Sequence, residues 1–97
     1  MKIRLSQLVA LEDFKKGCFT MTKEFESPVI PHVGDKIADS VWKDPYEHNV
    51  SEVIIDYSDN TCYVTLEPIR FENNDKDVLK LWYNMVESHG WDHGYLL

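Results

Sequence analysis

Four histidines, two cysteines and 17 carboxylates are the side chains of this 97-residue chain best suited to do chemistry. His89 and His93 lie four apart with Asp92 between them, while His32, His48, Cys18 and Cys62 stand elsewhere. A zinc site needs three or four ligands converging on one point, and the four-residue spacing aligns two histidines only on a continuous helix. Gly90 interrupts that helix as a stop, so the pattern predicts a core histidine at position 89 and no metal. A catalytic thiol needs a positive neighbour or a helix N-terminus, with a base in reach. Cys18 follows Lys15, Lys16 and Gly17, but no histidine is placed beside it; Cys62 falls on the apolar side of a hairpin, where burial raises a thiol's pKa. Glu52 and Glu67 are expected opposite one another on that hairpin, an arrangement an acid-rich chain produces by chance. There is no glycine-rich phosphate loop, Gly-x-Ser-x-Gly, His-Glu-x-x-His or calcium-loop spacing. The sequence therefore nominates no catalytic residue and no cofactor, and an enzyme is the less favoured expectation.

Aromatic residues are the stronger signal. Trp42, Tyr46, Tyr63, Trp91 and Tyr95 fall in expected turns, on a polar strand face or in the C-terminal tail. Beside Glu52 and Asp56 they form the expected contact surface, because exposed rings stack while carboxylates pair with cations. The competing expectation is that the tail folds back, with Trp91 and Leu96 completing the core beside Trp82.

The formal charge of −7 is unevenly spread. Residues 1–43 hold seven Lys/Arg against six Asp/Glu, and residues 44–97 hold three against eleven. Such a field disfavours phosphate backbones and anionic lipid and favours a basic protein surface as partner. No apolar run approaches the roughly 20 residues of a membrane span. The N-terminal apolar patch is broken by Ser6 and Gln7 and followed by Glu12 and Asp13, unlike a signal peptide. Two cysteines without an export signal read as reduced thiols, so the expected compartment is the cytoplasm.

The elements that must position these residues are organised around 49–71. Its two arms are rich in β-branched and aromatic residues, separated by Ser58-Asp59-Asn60-Thr61. A two-residue turn at Asp59-Asn60 would set Tyr57 against Cys62, Ile55 against Val64 and Val53 against Leu66, with Glu52, Ile54, Asp56, Tyr63, Thr65 and Glu67 on the other side. Pro68 ends the second arm, since it cannot donate to a ladder. Residues 2–5 read as a short strand followed by a short helix through Lys16. Residues 18–26 alternate Phe19, Met21 and Phe25 with polar positions, as a strand does. His32–Asp35 reads as a turn, Lys36–Trp42 as a third strand, and Lys43–Tyr46 as another turn. A helix is expected from Asp75 to His89, with Val78, Leu81, Trp82, Met85, Val86 and His89 on its apolar face and Gly90 beyond it.

These patterns fit one domain over residues 1–97, of the α+β class. The expected architecture is a curled antiparallel sheet of four or five strands, compatible with a partly open SH3-like barrel, with the C-terminal helix packed against it. The run Pro31–Ile37, PHVGDKI, ahead of a hydrophobic hairpin resembles short bacterial and phage accessory proteins, a likeness that names no family and carries over no site residues. The functional expectation is a small, acidic, non-catalytic protein-binding or regulatory module. The alternative is a small-ligand or metal-dependent protein using the sheet–helix cleft. Self-association through the hairpin edge or the apolar tail, giving a homodimer, is a third.

Overall fold

The computed structural model describes residues 1–43 and 48–96. The expected turn at Lys43–Tyr46 therefore falls largely outside the described residues, as does Tyr46. The chain folds as an α+β unit in which a six-stranded mixed sheet, not closed into a barrel, packs against one C-terminal helix. The strands are β1 (Lys2–Ala10), β2 (Cys18–Glu26), β3 (Val50–Asp56), β4 (Thr61–Leu66), β5 (Ile69–Arg70) and β6 (Asp92–His93), and the helix is α1 (Lys76–Ser88). They lie in the order β3-β4-β1-β2-β6, with β5 also on β1.

The centre of the sheet is β1, antiparallel to β2 along its whole length and parallel to β4. The short strand and helix expected over residues 2–16 give way to nine residues of strand and a single 3-10 turn at Phe14–Lys16. The reason is the two-residue period of Ile3, Leu5, Gln7, Val9 and Leu11, all of which are buried. A helix would have scattered them around its circumference. Asp13 caps the 3-10 turn by accepting from the Lys15 N–H. β2 runs over the expected residues with Phe19 and Met21 inward.

The hairpin forms with its expected faces but a different turn. Ile55 pairs with Cys62, Val53 with Val64 and Ile54 with Tyr63, two residues away from the register of a two-residue turn. A two-residue slip leaves every side chain on its original face, which is why the face assignment survives. The loop is Tyr57–Asn60, closed by Asp56 opposite Thr61. The Ser58 N–H and hydroxyl both donate to Asp56, and Asn60 takes a left-handed φ of 55°, which asparagine tolerates. Tyr57 therefore sits at the tip, 83% exposed, rather than on the apolar side. Glu52 faces Thr65 and Glu67 faces Asn49, so the expected Glu52–Glu67 pair does not exist. At Pro68 the arm leaves the ladder and rejoins β1 as β5, where Ile69 lies beside Val9.

Lys36–Trp42 does not form the expected strand. A single bridge joins Lys36 to Asn49, after which Asp39 turns the chain by accepting from the Val41 N–H, while its carbonyl takes the Trp42 N–H. His32–Asp35 is the expected turn, with the Asp35 N–H donating to the His32 carbonyl.

Asp75 caps α1 by accepting from the Asp77 N–H. At the other end the Gly90 N–H donates to the Glu87 carbonyl and the Trp91 N–H to the Val86 carbonyl, a Schellman arrangement that needs the left-handed φ of 82° at Gly90. The reversal drops Trp91 into the core, 1% exposed, and lays β6 against β2. The apolar arc of the helix is wider than a single face. Leu79 and Val86 are buried in the core, whereas Leu81, expected inward, is 69% exposed. The core thus lies between one face of the sheet and a cover made of α1, Trp91 and Ile30, Ile37, Val41 and Trp42 from the β2–β3 connection. No described helix is long and apolar enough to cross a membrane.

Candidate functional site

A cleft of about 860 Å³ lies between α1, the β4–β5 bend and the end of the β2–β3 connection. Three walls enclose it. Val78, Leu81, Trp82 and Met85 form one, a stripe at helical spacing beside the buried Leu79/Val86 stripe. Glu67, Pro68, Ile69 and Arg70 form the second, where Pro68 bends the strand outward. Val41, Trp42, Lys43 and His48 form the third. The lining is mainly apolar, with Lys43, Arg70, Glu67 and His48 as its polar groups.

The third wall is anchored by Gln7, a buried amide in the middle of β1. The Trp42 indole N–H, which can only donate, donates to Gln7 Oε1 at 3.0 Å. Gln7 Nε2 donates to the Glu67 carbonyl at 2.8 Å, a group released from the strand ladder next to Pro68. These two contacts fix the amide's orientation. Its remaining N–H points at His48 Nδ1, 3.1 Å away, so that nitrogen accepts and the neutral ring carries its proton on Nε2. The His48 ring stacks on Trp42 with centroids 4.1 Å apart. A second network holds the same connection from behind. Asp39 accepts from the Trp91 indole N–H at 3.0 Å and pairs with Lys23 Nζ at 2.8 Å. Lys23 also donates to the His89 carbonyl at 3.2 Å, a favourable place for a cation at a helix C-terminus. Burial opposes the charge on Asp39, but hydrogen bonds from Lys23, Trp91 and Val41 outweigh it and hold the carboxyl below its ordinary range. No buried side-chain nitrogen or oxygen among the described residues lacks a partner.

Electrostatically the cleft departs from the rest of the chain. Lys43 and Arg70 form no ion pair among the described residues. Arg70 Nε donates to the Glu12 carbonyl, which leaves its two terminal nitrogens without a carboxylate. The cleft can therefore receive an apolar body and offer it two cations, Lys43 and Arg70, against one carboxylate, Glu67.

The expected contact residues divide into separate groups. Trp42 is only 5% exposed and is bonded to Gln7, and Trp91 is buried against Asp39, so neither belongs to an outer contact surface. Both indoles found buried hydrogen-bond acceptors, and that satisfaction makes their burial cheap. Glu52, Asp56 and Tyr63 do come together, on the outer face of the β3–β4 hairpin beside Ile54. The Tyr63 hydroxyl donates to Asp59 at 2.9 Å; that bond, then burial and the Asp59 and Asp56 charges, push its pKa up against a small opposing effect of Arg4. Hydrogen bonds from the Ser58 hydroxyl and N–H hold the Asp56 carboxyl down. Tyr95, 90% exposed, follows β6 at the opposite edge of the sheet.

Among the described residues no three His, Cys, Asp or Glu side chains converge on a point. His89 caps the helix with Nδ1 3.0 Å from Ser40 Oγ, while His93, beyond the Gly90 reversal, packs on Tyr83. Cys18 lies beside Ala10 and Cys62 beside Ile3, seven residues along β1 or roughly 23 Å, too far for a disulfide. Burial pushes the Cys62 thiol up.

Val78, Leu81, Trp82, Met85, Trp42 and Pro68 of the cleft stand out in the sequence, whereas Gln7, which anchors one wall, does not. One signal was available: Gln7 occupies an inward position in the alternation Ile3, Leu5, Val9, where a polar side chain must find buried partners. Lys23, Asp39 and Arg70 carried no comparable mark. Comparison of the chain with protein-family models, curated proteins and solved structures finds no match.

Proposed function

We propose that this protein is a non-catalytic binding module and that the cleft along α1 receives a small, largely apolar ligand bearing an anionic group. The observation that carries the reading is the stripe Val78-Leu81-Trp82-Met85 facing the Pro68 bend, with Leu81 exposed and the other three half-buried, in a cleft whose size lies within the range of small-molecule sites. Lys43 and Arg70, which form no ion pair among the described residues, favour an anionic ligand, in contrast to the acidic remainder of the chain. The rigid Gln7–Trp42–His48 wall supports preorganised binding, because its rotamers are locked by hydrogen bonds and stacking. Two cysteines too distant to pair suit a reducing cytoplasm.

The test uses 1-anilinonaphthalene-8-sulfonate, an apolar anion, and its neutral analogue N-phenyl-1-naphthylamine, with Trp82 as a fluorescence donor. Saturable one-to-one binding of the anion, weaker binding of the neutral probe, and loss of both in Leu81→Asp are expected. Equal affinity for the two probes removes the role of Lys43 and Arg70. Unchanged binding in folded Leu81→Asp removes the cleft itself.

A further inference from the structure

A different part of the molecule carries a second, independent inference. β3 is an outermost strand of the sheet, and among the described residues its free side is covered only at its start. There the Gly34 N–H donates to the Val50 carbonyl and the Val50 N–H to the Asp35 carbonyl. The cover ends where the β3 register shifts, between Val50 and Glu52. From Ser51 to Asp56 the outer backbone edge has no partner among the described residues. Natural sheets blunt such an edge with charged side chains, lysine above all, with proline, a bulge or an overlying element. This stretch, SEVIID, has no lysine or proline; its bulge lies at the start, before Glu52, its two charges are both acidic, and Ile54 stays 53% exposed.

The charges around the edge select what can add to it. From Asp44 to Ile69 the chain holds six carboxylates and no Lys or Arg. Glu52, Ile54 and Asp56 point to the outer face, with Val53 and Ile55 on the core side. The nearest cations on the outer face, Lys2 and Arg4, both lie on β1, two strands away, level with Asp56 and Ile54, and Arg4 is paired with Glu24 at 2.8 Å. A second copy adding its own β3 would gather both Glu52/Asp56 pairs on one face with no cation between them, which opposes that pairing.

We propose that the Ser51–Asp56 edge docks an extended basic segment of a partner protein as a seventh strand. Backbone hydrogen bonds hold the segment, and its side chains alternate between two environments. Lys or Arg side chains lie on the outer face against Glu52 and Asp56, and apolar side chains lie beside Val53 and Ile55.

The experiment uses a labelled peptide of five Lys-Val repeats, read by fluorescence anisotropy and by hydrogen exchange of the whole protein. A Glu-Val peptide and a Lys-Val peptide N-methylated at alternate residues serve as comparisons. Saturable binding of the Lys-Val peptide, new protection of amides in 51–56, and failure of both comparison peptides are expected. Glu52→Gln with Asp56→Asn should weaken binding roughly 2- to 30-fold, the sum of two exposed ion pairs. Undiminished binding of the N-methylated peptide overturns strand addition, since charge alone would then suffice. Unchanged affinity in the double variant overturns the charge selection. Sedimentation of the protein alone as a dimer that Ile54→Lys dissociates would replace the basic partner with a second copy.

Discussion

Replacing Gln7 with methionine tests the structural logic of the cleft most directly, because it keeps the side chain's length and removes only its polar end. The change leaves the Trp42 indole N–H and the Glu67 carbonyl without their 3.0 and 2.8 Å partners and removes the donor to His48. Each buried group left unsatisfied costs about 1–3 kcal/mol. Water reaches Glu67 more readily than Trp42, and methionine recovers some apolar contact, so the net loss is about 2–4 kcal/mol. For a domain of this size that lowers Tm by roughly 8–30 °C. Urea unfolding followed by tryptophan fluorescence gives the loss as a shift in midpoint at constant slope. Trp42→Phe removes the indole N–H from the other side. In the double variant the two costs should fall short of additivity by about 1 kcal/mol, since each single change already breaks the same bond. Gln7→Met within 0.5 kcal/mol of wild type, or strict additivity with Trp42→Phe, would refute the view that the amide organises this wall.

Two further outcomes follow from the second network and the helix terminus. Asp39 has a folded pKa below its unfolded value, so its stabilisation is complete above about pH 4 and is lost as pH falls through the folded value. Asp39→Asn should therefore lower stability at neutral pH and flatten its decline below pH 4, measured as urea midpoints across pH; an unaltered acid limb would contradict the assignment. Gly90→Ala forces a β-carbon into a left-handed φ of 82° and should cost about 1–2 kcal/mol, with loss of hydrogen-exchange protection centred on Trp91 and β6. A β-carbon at position 90 would meet only ordinary contacts with the Lys23 side chain, so a loss much above that range would point to crowding instead.

Local patterns were legible wherever the determining interactions are close along the chain. The alternation of Phe19 and Met21, the inward and outward sides of the hairpin, the Asp75 cap and the Gly90 stop each depend on residues within a few positions, so the sequence alone determined them. The two-residue slip of the hairpin shows the limit of that reading: face depends on parity, but register depends on a turn whose geometry was set by Asp56, Ser58 and Asn60 together. Tertiary structure decided what parity and periodicity leave open. Nothing near residues 2–10 says that this segment will lie parallel to β4, and only that neighbour makes its alternation a central strand. The helix is apolar over too wide an arc to declare which margin the core will take; packing against the sheet took Leu79 and Val86 into the core and left Leu81 to the cleft. Trp42 and Trp91 could be drawn inside because Gln7 and Asp39, 35 and 52 residues away, arrive to accept their N–H groups. The cost of burying a polar group depends on partners distant in sequence, and a chain read locally does not show them.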